Sequence, residues 1–365
     1  NMMITGDTGL GKTMCVRITL NELSRKMSEG KNFRNEYFND LESEKDTLQK
    51  LSRTLNLTPE NRSKPYQGTN LPFYYDLLLE KLRDEEIYLV ITFDEIDRLM
   101  SNKKKGKPIS HGNSMLKQLL EVRKELKNSD AEAGLTLVCI TNDSSVPDEL
   151  SSKVKDRFGR EGLHFSSYNA LQLGNILDER AKKAFQPGVV QDGVTSKTAS
   201  LVARDSGSAR RAIELLRKAG EMAESRGDER IEAQEHVEEA HQALETNEIL
   251  EAIESLPKHN KVTFYSILTA YSGSKLATGD VYEQYKEICE NRLEEESLSQ
   301  RSISEHINKM DMQGLIQAKT VSKGRYGRTK EISIDYSEST REDILDRIHR
   351  ETPILAPADF DLQST

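Results

Sequence analysis

The stretch Gly6-Asp7-Thr8-Gly9-Leu10-Gly11-Lys12-Thr13 has the residue types and the spacing to hold a polyphosphate. Three glycines within six residues let the backbone turn tightly and aim its N–H groups inward as an anion nest. Lys12 can set a compact cation against the β- and γ-phosphates, and Thr13 can offer a hydroxyl to Mg²⁺. The apolar run Met2 to Ile4 before the loop reads as a buried strand. The run after it, MCVRITLNELSRKM, keeps Cys15, Val16, Ile18, Leu20 and Leu23 at helical spacing. The loop thus joins a strand to a helix whose N-terminus adds a positive dipole end. From Gly6 through Thr13, and on to Met14, it is the expected contact surface for a nucleotide's phosphates.

Further along stands YLVITFDEID, residues 88–97. Residues 88–93 form an almost continuous apolar run, as in a central strand covered on both faces. Asp94, at its end, is expected to share the metal with Thr13. Glu95, next to it, is placed to orient and polarise an attacking water. Asp97 is equally readable as a helix cap or as a catalytic group. Asn142 ends another apolar run, LTLVCITND, at the strand end where such sheets bind ligands. Two arginines complete the set: Arg157 in KVKDRFG and Arg210 in GSARR. A guanidinium facing a γ-phosphate stabilises charge on the group being transferred.

The elements that must position these residues alternate. A strand at 33–39, helices at 46–55 and 73–83, the strand at 88–93, a helix from 113 to 127 and a strand at 135–143 predict a parallel α/β sheet. From about 166 the pattern turns helical, with helices at 208–224 and 233–254. Pro257 then opens a new unit, with helices at 258–271, 279–290 and 300–313 and a hairpin at 315–334. The expected domains are a nucleotide-binding core (1–165), a helical lid (166–254), a C-terminal domain (255–345) and a tail (346–365).

The net charge of −9 makes the chain as a whole an unpromising nucleic-acid ligand, so any such role must be local. The three cysteines, Cys15, Cys139 and Cys289, lack metal or disulfide spacing and read as small buried residues in a reducing compartment. His236 and His241 read as part of a solvated helix face. No apolar run is long enough to span a bilayer, and with the cysteine usage this leads us to expect a cytoplasmic protein. Because Asn1 begins directly on a strand, a missing N-terminal portion is expected as well.

The C-terminal domain supplies the local basic tool. Ser299 and Gly314 bound a helix whose apolar face holds Ile303, Ile307 and Met310. Its other side presents Gln300, Arg301, Ser304, Glu305 and Asn308, a plausible face for a DNA major groove. The hairpin tip, SKGRYGRTK, carries Lys323, Arg325, Arg328 and Lys330 with no acid among them, and Tyr326 to pack on sugar or backbone. Such a wing suits phosphates and a minor groove.

Taken in order, GDTGLGKT, FDEID, TND, KVKDRFG and GSARRAIELL resemble the AAA+ ATPase core. With SQRSISEHINKMDMQGLIQAKTVSKGRYGRTKEI they resemble archaeal replication initiators of the origin-recognition-complex and cell-division-control type, over nearly the whole chain. The resemblance implies an α/β AAA+ P-loop core with a parallel sheet, a helical lid and a C-terminal winged-helix domain. It implies that Lys12 and Thr13 bind ATP and Mg²⁺ and that Asp94 and Glu95 form the second acidic box. Asn142 would be the first sensor, Arg210 the second, and Arg157 a finger toward a neighbour's nucleotide, with self-association or assembly on DNA. The implied partners are double-stranded origin DNA and the replicative helicase, with slow ATP hydrolysis as a switch. Two other functions fit the same residues: a DNA-binding regulator that loads no helicase, and a clamp-loader-like ATPase acting on proteins. The family's segment ahead of the first strand is not seen, which bears on adenine recognition and origin affinity.

Overall fold

A computed structural model describes residues 1–27, 32–39, 41–57, 71–100, 103–104, 107–108, 111–158, 162–322 and 328–357. The chain starts with strand β1 (Met2–Gly6), the glycine-rich loop and helix α1 (Lys12–Met27). Strand β2 (Asn32–Phe38), helices α2 (Glu44–Thr54) and α3 (Leu71–Asp84) and strand β3 (Ile87–Phe93) follow. A short helix α4 (Asp97–Met100) and a two-residue pair, β4 (Lys103–Lys104) with β5 (Lys107–Pro108), lead to helix α5 (His111–Lys127) and strand β6 (Gly134–Ile140). Helices α6 (Val146–Glu149) and α7 (Ser152–Phe158) and strand β7 (Leu163–Phe165) close the core.

The five long strands form one parallel sheet in the order β2-β3-β6-β1-β7. The apolar runs behave as their composition dictates. Every residue of β3 except Tyr88 is buried, because helices cover both faces of an inner parallel strand. Leu89, Ile91 and Phe93 join Leu78, Leu82, Leu116 and Leu119 in the main core. Each such side chain contributes roughly 1.5–3 kcal/mol on burial. The order brings the carboxyl ends of β1, β2, β3 and β6 together, and the residues singled out above stand at three of them. On α1, Val16 and Leu20 are buried, whereas Cys15 and Ile18 face solvent. Cys139 and Cys289 are buried as expected, so Cys15 is the exception: the helix turns its narrow apolar stripe, not its whole apolar set, to the sheet.

Helices α8 (Ala170–Ala184), α9 (Val194–Asp205) and α10 (Ala209–Arg226) form the lid, followed by a π turn at Ala233–Val237. Asn169 caps α8 with a reciprocal capping box to Gln172, and Ser208 caps α10. His236 is 2 % exposed, not solvated. Its Nδ1 accepts the Glu232 backbone N–H at 3.0 Å and its Nε2 lies 3.0 Å from Asp228 Oδ2. The ring is therefore spent on capping a turn. His241 is also buried.

Two compact units divide the chain at Val237/Glu238. Helix α11 (Glu238–Glu254), read from sequence with the lid, packs in the second unit, where α11 meets the last helix. The second unit continues with α12 (Lys258–Ala270), the short strand β8 (Leu276–Ala277), α13 (Thr278–Ile288) and a π turn (Cys289–Leu293). Then come α14 (Gln300–Met312), strands β9 (Gln317–Ser322) and β10 (Arg328–Ser333) and helix α15 (Glu338–Glu351). The strands make an antiparallel sheet in the order β8-β10-β9, and Ile332 pairs with both Ala318 and Leu276. The stretch expected as a tail from 346 is folded as far as Leu355. Ile348 and Leu355 are fully buried in this unit's core, which explains why the chain does not fray there.

Candidate functional site

The loop is cradled by left-handed glycines, with φ of +82° at Gly9 and +86° at Gly11. Glycine adopts that conformation at little cost because it has no Cβ. A Cβ on Gly9 would lie 2.1 Å from Ser208 Oγ and 3.0 Å from Arg210 Cβ, so the start of the lid helix rests directly on the loop. The Arg210 backbone N–H donates to the Gly9 carbonyl at 3.3 Å, and the Tyr168 hydroxyl donates to the Leu10 carbonyl at 3.0 Å. Leu10 is buried beneath, while Asp7 and Thr8 are exposed, so the acid in the loop faces solvent. Met14 is 54 % exposed.

Lys12 is 5 % exposed and its Nζ is held by three oxygens: Gly6 O at 2.8 Å, Asp7 O at 2.7 Å and Asn142 Oδ1 at 2.8 Å. Burial pulls the lysine's pKa below its ordinary value, against the opposing pull of Asp94, Asp7 and Asp97. Thr13 Oγ1 donates to Asp94 Oδ2 at 2.7 Å, and Asp94 is itself buried. The Glu95 backbone N–H donates to Asp94 Oδ1 at 3.1 Å. The structure thus brings four of the expected residues together at three strand ends as two hydrogen-bonded pairs, Lys12 with Asn142 and Thr13 with Asp94, set side by side because Lys12 and Thr13 are chain neighbours.

Glu95 turns away from this cluster. Its φ is +56°, a left-handed conformation rare outside glycine, and its carboxylate pairs with Arg98 at 2.6 Å. Both partners are substantially exposed, so solvent leaves the pair worth well under ~1 kcal/mol and the carboxylate can leave it readily. Asp97 accepts from Thr141 Oγ1 at 2.9 Å, tying the end of β3 to the end of β6. Arg157 is not gathered into the cluster: it pairs with Glu121 of α5 at 2.8 Å, half-exposed. The Arg210 side chain is exposed beside the loop.

Two tyrosines escaped the sequence reading. Tyr168 precedes the lid and carries no motif. Tyr37, at the end of β2, donates its hydroxyl to Asp94 Oδ2. Burial first, then the Asp94 carboxylate, pushes its pKa up to about 12, so it stays a donor. The rule that ligands sit at strand carboxyl ends, applied to β2 as it was to β3 and β6, would have found it.

The donor set fits a magnesium nucleotide. Thr13 and Asp94 offer hard oxygens at one point, and Lys12 is held by three oxygens that phosphate oxygens can replace.

In the second unit, Ser299 Oγ accepts the Ser302 N–H and caps α14, and Gly314 adopts φ +74° just past its end. Ile303, Ile307 and Met310 are fully buried. Gln300, Arg301 and Asn308 are exposed and Ser304 is half-buried. Arg301 pairs with Glu305 at 3.4 Å across one turn, an exposed pair that either side chain can leave readily. Arg328 and Lys330 lie on β10, Lys330 opposite Thr320. Lys323, Arg325 and Tyr326 lie outside the described residues. Among the described residues no helix is long and apolar enough to cross a membrane.

Comparison with known proteins agrees with this architecture. Residues 2–164 match the model of ATPases associated with various cellular activities, 174–242 the Cdc6 AAA+ ATPase-type lid, and 251–344 the C-terminal winged-helix domain of CDC6. The chain is 36 % identical over 361 residues to an ORC1-type DNA replication protein of Thermococcus kodakarensis, covering 97 % of this chain and 83 % of that one. It is 36 % identical over 339 residues to ORC1-type DNA replication protein 1 of Sulfolobus acidocaldarius, covering 93 % and 81 %. The structure of the Aeropyrum pernix ORC1 protein in complex with DNA superposes with a TM-score of 0.72 at 32 % identity, covering 97 % of this chain and 87 % of that one. The phosphate loop, the lid seated on it and the capped helix with its antiparallel wing therefore belong to one known assembly of parts: the chain is a member of the ORC1-type DNA replication proteins, AAA+ chains with a Cdc6-type lid and a C-terminal winged helix.

Proposed function

We propose that the chain is a nucleotide-switched replication initiator that binds double-stranded origin DNA. The observation that carries the switch is the contact of the lid and its lead-in with the phosphate loop: Arg210 N–H of the lid helix to Gly9 O, and Tyr168, just before the lid, to Leu10 O. A lid that rests on the loop responds to what the loop holds. Lys12 and the loop amides would bind ATP or ADP, and Thr13 with Asp94 would hold Mg²⁺. Bound Mg²⁺ would neutralise charge on the β- and γ-phosphates. Asn142, which meets Lys12, would sense the γ-phosphate, and Arg210 would reach it from the lid. Glu95, released from Arg98, would orient water for a slow hydrolysis that resets the switch. Arg157 would act on a neighbouring copy's nucleotide, in self-association or assembly on DNA.

Duplex DNA would meet Gln300, Arg301, Ser304 and Asn308 of α14, and Lys323, Arg325, Tyr326, Arg328 and Lys330 of the wing. The A. pernix relative at 32 % identity, solved in complex with DNA, supports that assignment. Recruitment of the replicative helicase and a cytoplasmic, nucleoid-associated location complete the reading. Footprinting the purified chain on DNA flanking its own gene, with and without ATP, tests it. Protection of a repeated element that changes with ATP is expected; no protection of any element would contradict it. Glu95→Gln separates an initiator from a regulator that does not hydrolyse: the former keeps nucleotide binding and changes in function, the latter is indifferent.

A further inference from the structure

The proposed nucleotide site leaves one half-buried contact unexplained, that of Tyr37. Its hydroxyl donates to Asp94 Oδ2, the same oxygen that takes the Thr13 hydroxyl at 2.7 Å, while Oδ1 takes the Glu95 N–H at 3.1 Å. The in-register pairing of β2 with β3 sets Tyr37 opposite Thr92, two residues before the carboxylate. From the other side the Arg17 guanidinium lies 4.5 Å from the ring centroid. Thr13 and Arg17 are one turn apart on α1, so a single face of that helix grips the two-strand edge at both points. A carboxylate with one donor can rotate about its terminal torsion. With donors on both oxygens and two on one of them, Asp94 has a fixed plane and a fixed rotamer.

We propose that Tyr37 is a positioning residue for the divalent cation, holding Asp94 so that its Oδ2 and the Thr13 hydroxyl converge on one point, with Arg17 steadying the ring. This rests on reading the loop as a magnesium-nucleotide site. Tyr37 itself need not touch the metal. Its removal should weaken the metal's hold on the site and leave the phosphate contacts of Lys12 and the loop amides in place.

The test is binding of a fluorescent ADP analogue to the full chain, in EDTA and across a Mg²⁺ titration. Tyr37→Phe keeps the ring and removes the donor. Its affinity in EDTA should match the wild type within about twofold, and its Mg²⁺ midpoint should rise about tenfold, the loss expected for a hydrogen bond to a charged acceptor. Arg17→Gln should move the midpoint the same way by about threefold. A wild-type Mg²⁺ midpoint in Tyr37→Phe overturns the proposal. So does an equal loss of affinity in EDTA and in Mg²⁺, which would mark Tyr37 as a fold support only. If Tyr37→Phe does not fold, an unchanged midpoint in Arg17→Gln overturns it instead. Absence of nucleotide binding by the wild type in either condition would instead remove the nucleotide site itself.

Discussion

The phosphate loop and helix α14 hold their side chains in opposite ways. Lys12 is 5 % exposed and gripped by three oxygens, whereas Arg301 is 90 % exposed and paired across one helical turn with Glu305. The difference suits the ligands proposed for them. Charge on a phosphate must be met at a fixed point, so its partners are dried and preorganised by strand ends. A duplex groove is met by a hydrated face whose stiffness comes from beneath, here from Ile303, Ile307 and Met310. Changes at the loop should therefore act all or nothing on one ligand, and changes on α14 should act by small increments.

The largest effect is expected at Lys12. Lys12→Ala should lower nucleotide affinity at least about 100-fold by calorimetry, since a charge-assisted contact to phosphate is lost. An affinity within tenfold of wild type would show that the amide nest alone suffices. Beneath α14, Ile307→Ala should cost roughly 2–5 kcal/mol in denaturant unfolding, because the side chain is fully buried. A smaller loss would mean the site collapses without a cavity. On the exposed face, Asn308→Ala should weaken duplex binding by about 1–3 kcal/mol and relax preference at one base pair, read by titration against variant duplexes. On the wing, Lys330→Ala should weaken all sequences alike and reduce the slope of log K against log salt by about one.

The smallest effect concerns His306, on α14 but turned inward to Thr263 Oγ1 at 3.1 Å. Burial first, then the neighbouring His259, lowers its pKa, with Glu305 opposing and Lys309 adding to the shift. A folded state that resists the proton is penalised once the unfolded chain takes it up, below about pH 6.5. Stability of this unit should therefore be complete above that pH and decline as pH falls through it. Amide exchange in α14, corrected for intrinsic rates, should show less protection at pH 5.5 than at pH 7. His306→Gln should flatten that difference; an unchanged difference would assign it to other groups.

How much of this was legible depended on whether a residue belongs to a pattern that can be recognised locally in the sequence. The loop, Asp94 and Asn142 carry patterns, and parallel pairing brings strand ends together, so the fold and the placement of these residues were both readable. Ser299, Gly314 and the buried stripe of α14 were readable because capping and helical spacing are local. Tyr37 and Tyr168 were not singled out, since what makes them matter is a partner 57 or 158 residues away. The burial of His236 depends on a turn that folds the ring back onto Glu232, which helical periodicity does not encode. Nor does periodicity reveal that α11 packs with the second unit or that the chain stays folded to Leu355.

The proposed coupling is between the nucleotide held at the loop and the grip of the winged helix on DNA. It is tested most directly by measuring the Kd of the chain for an origin-derived duplex when loaded with a non-hydrolysable ATP analogue and when loaded with ADP, at one salt concentration. Kd values that differ by about fivefold or more, the usual lower scale of such coupling, are expected for the wild type, with no difference in Lys12→Ala. Equal Kd values for the two loaded states of the wild type would contradict it.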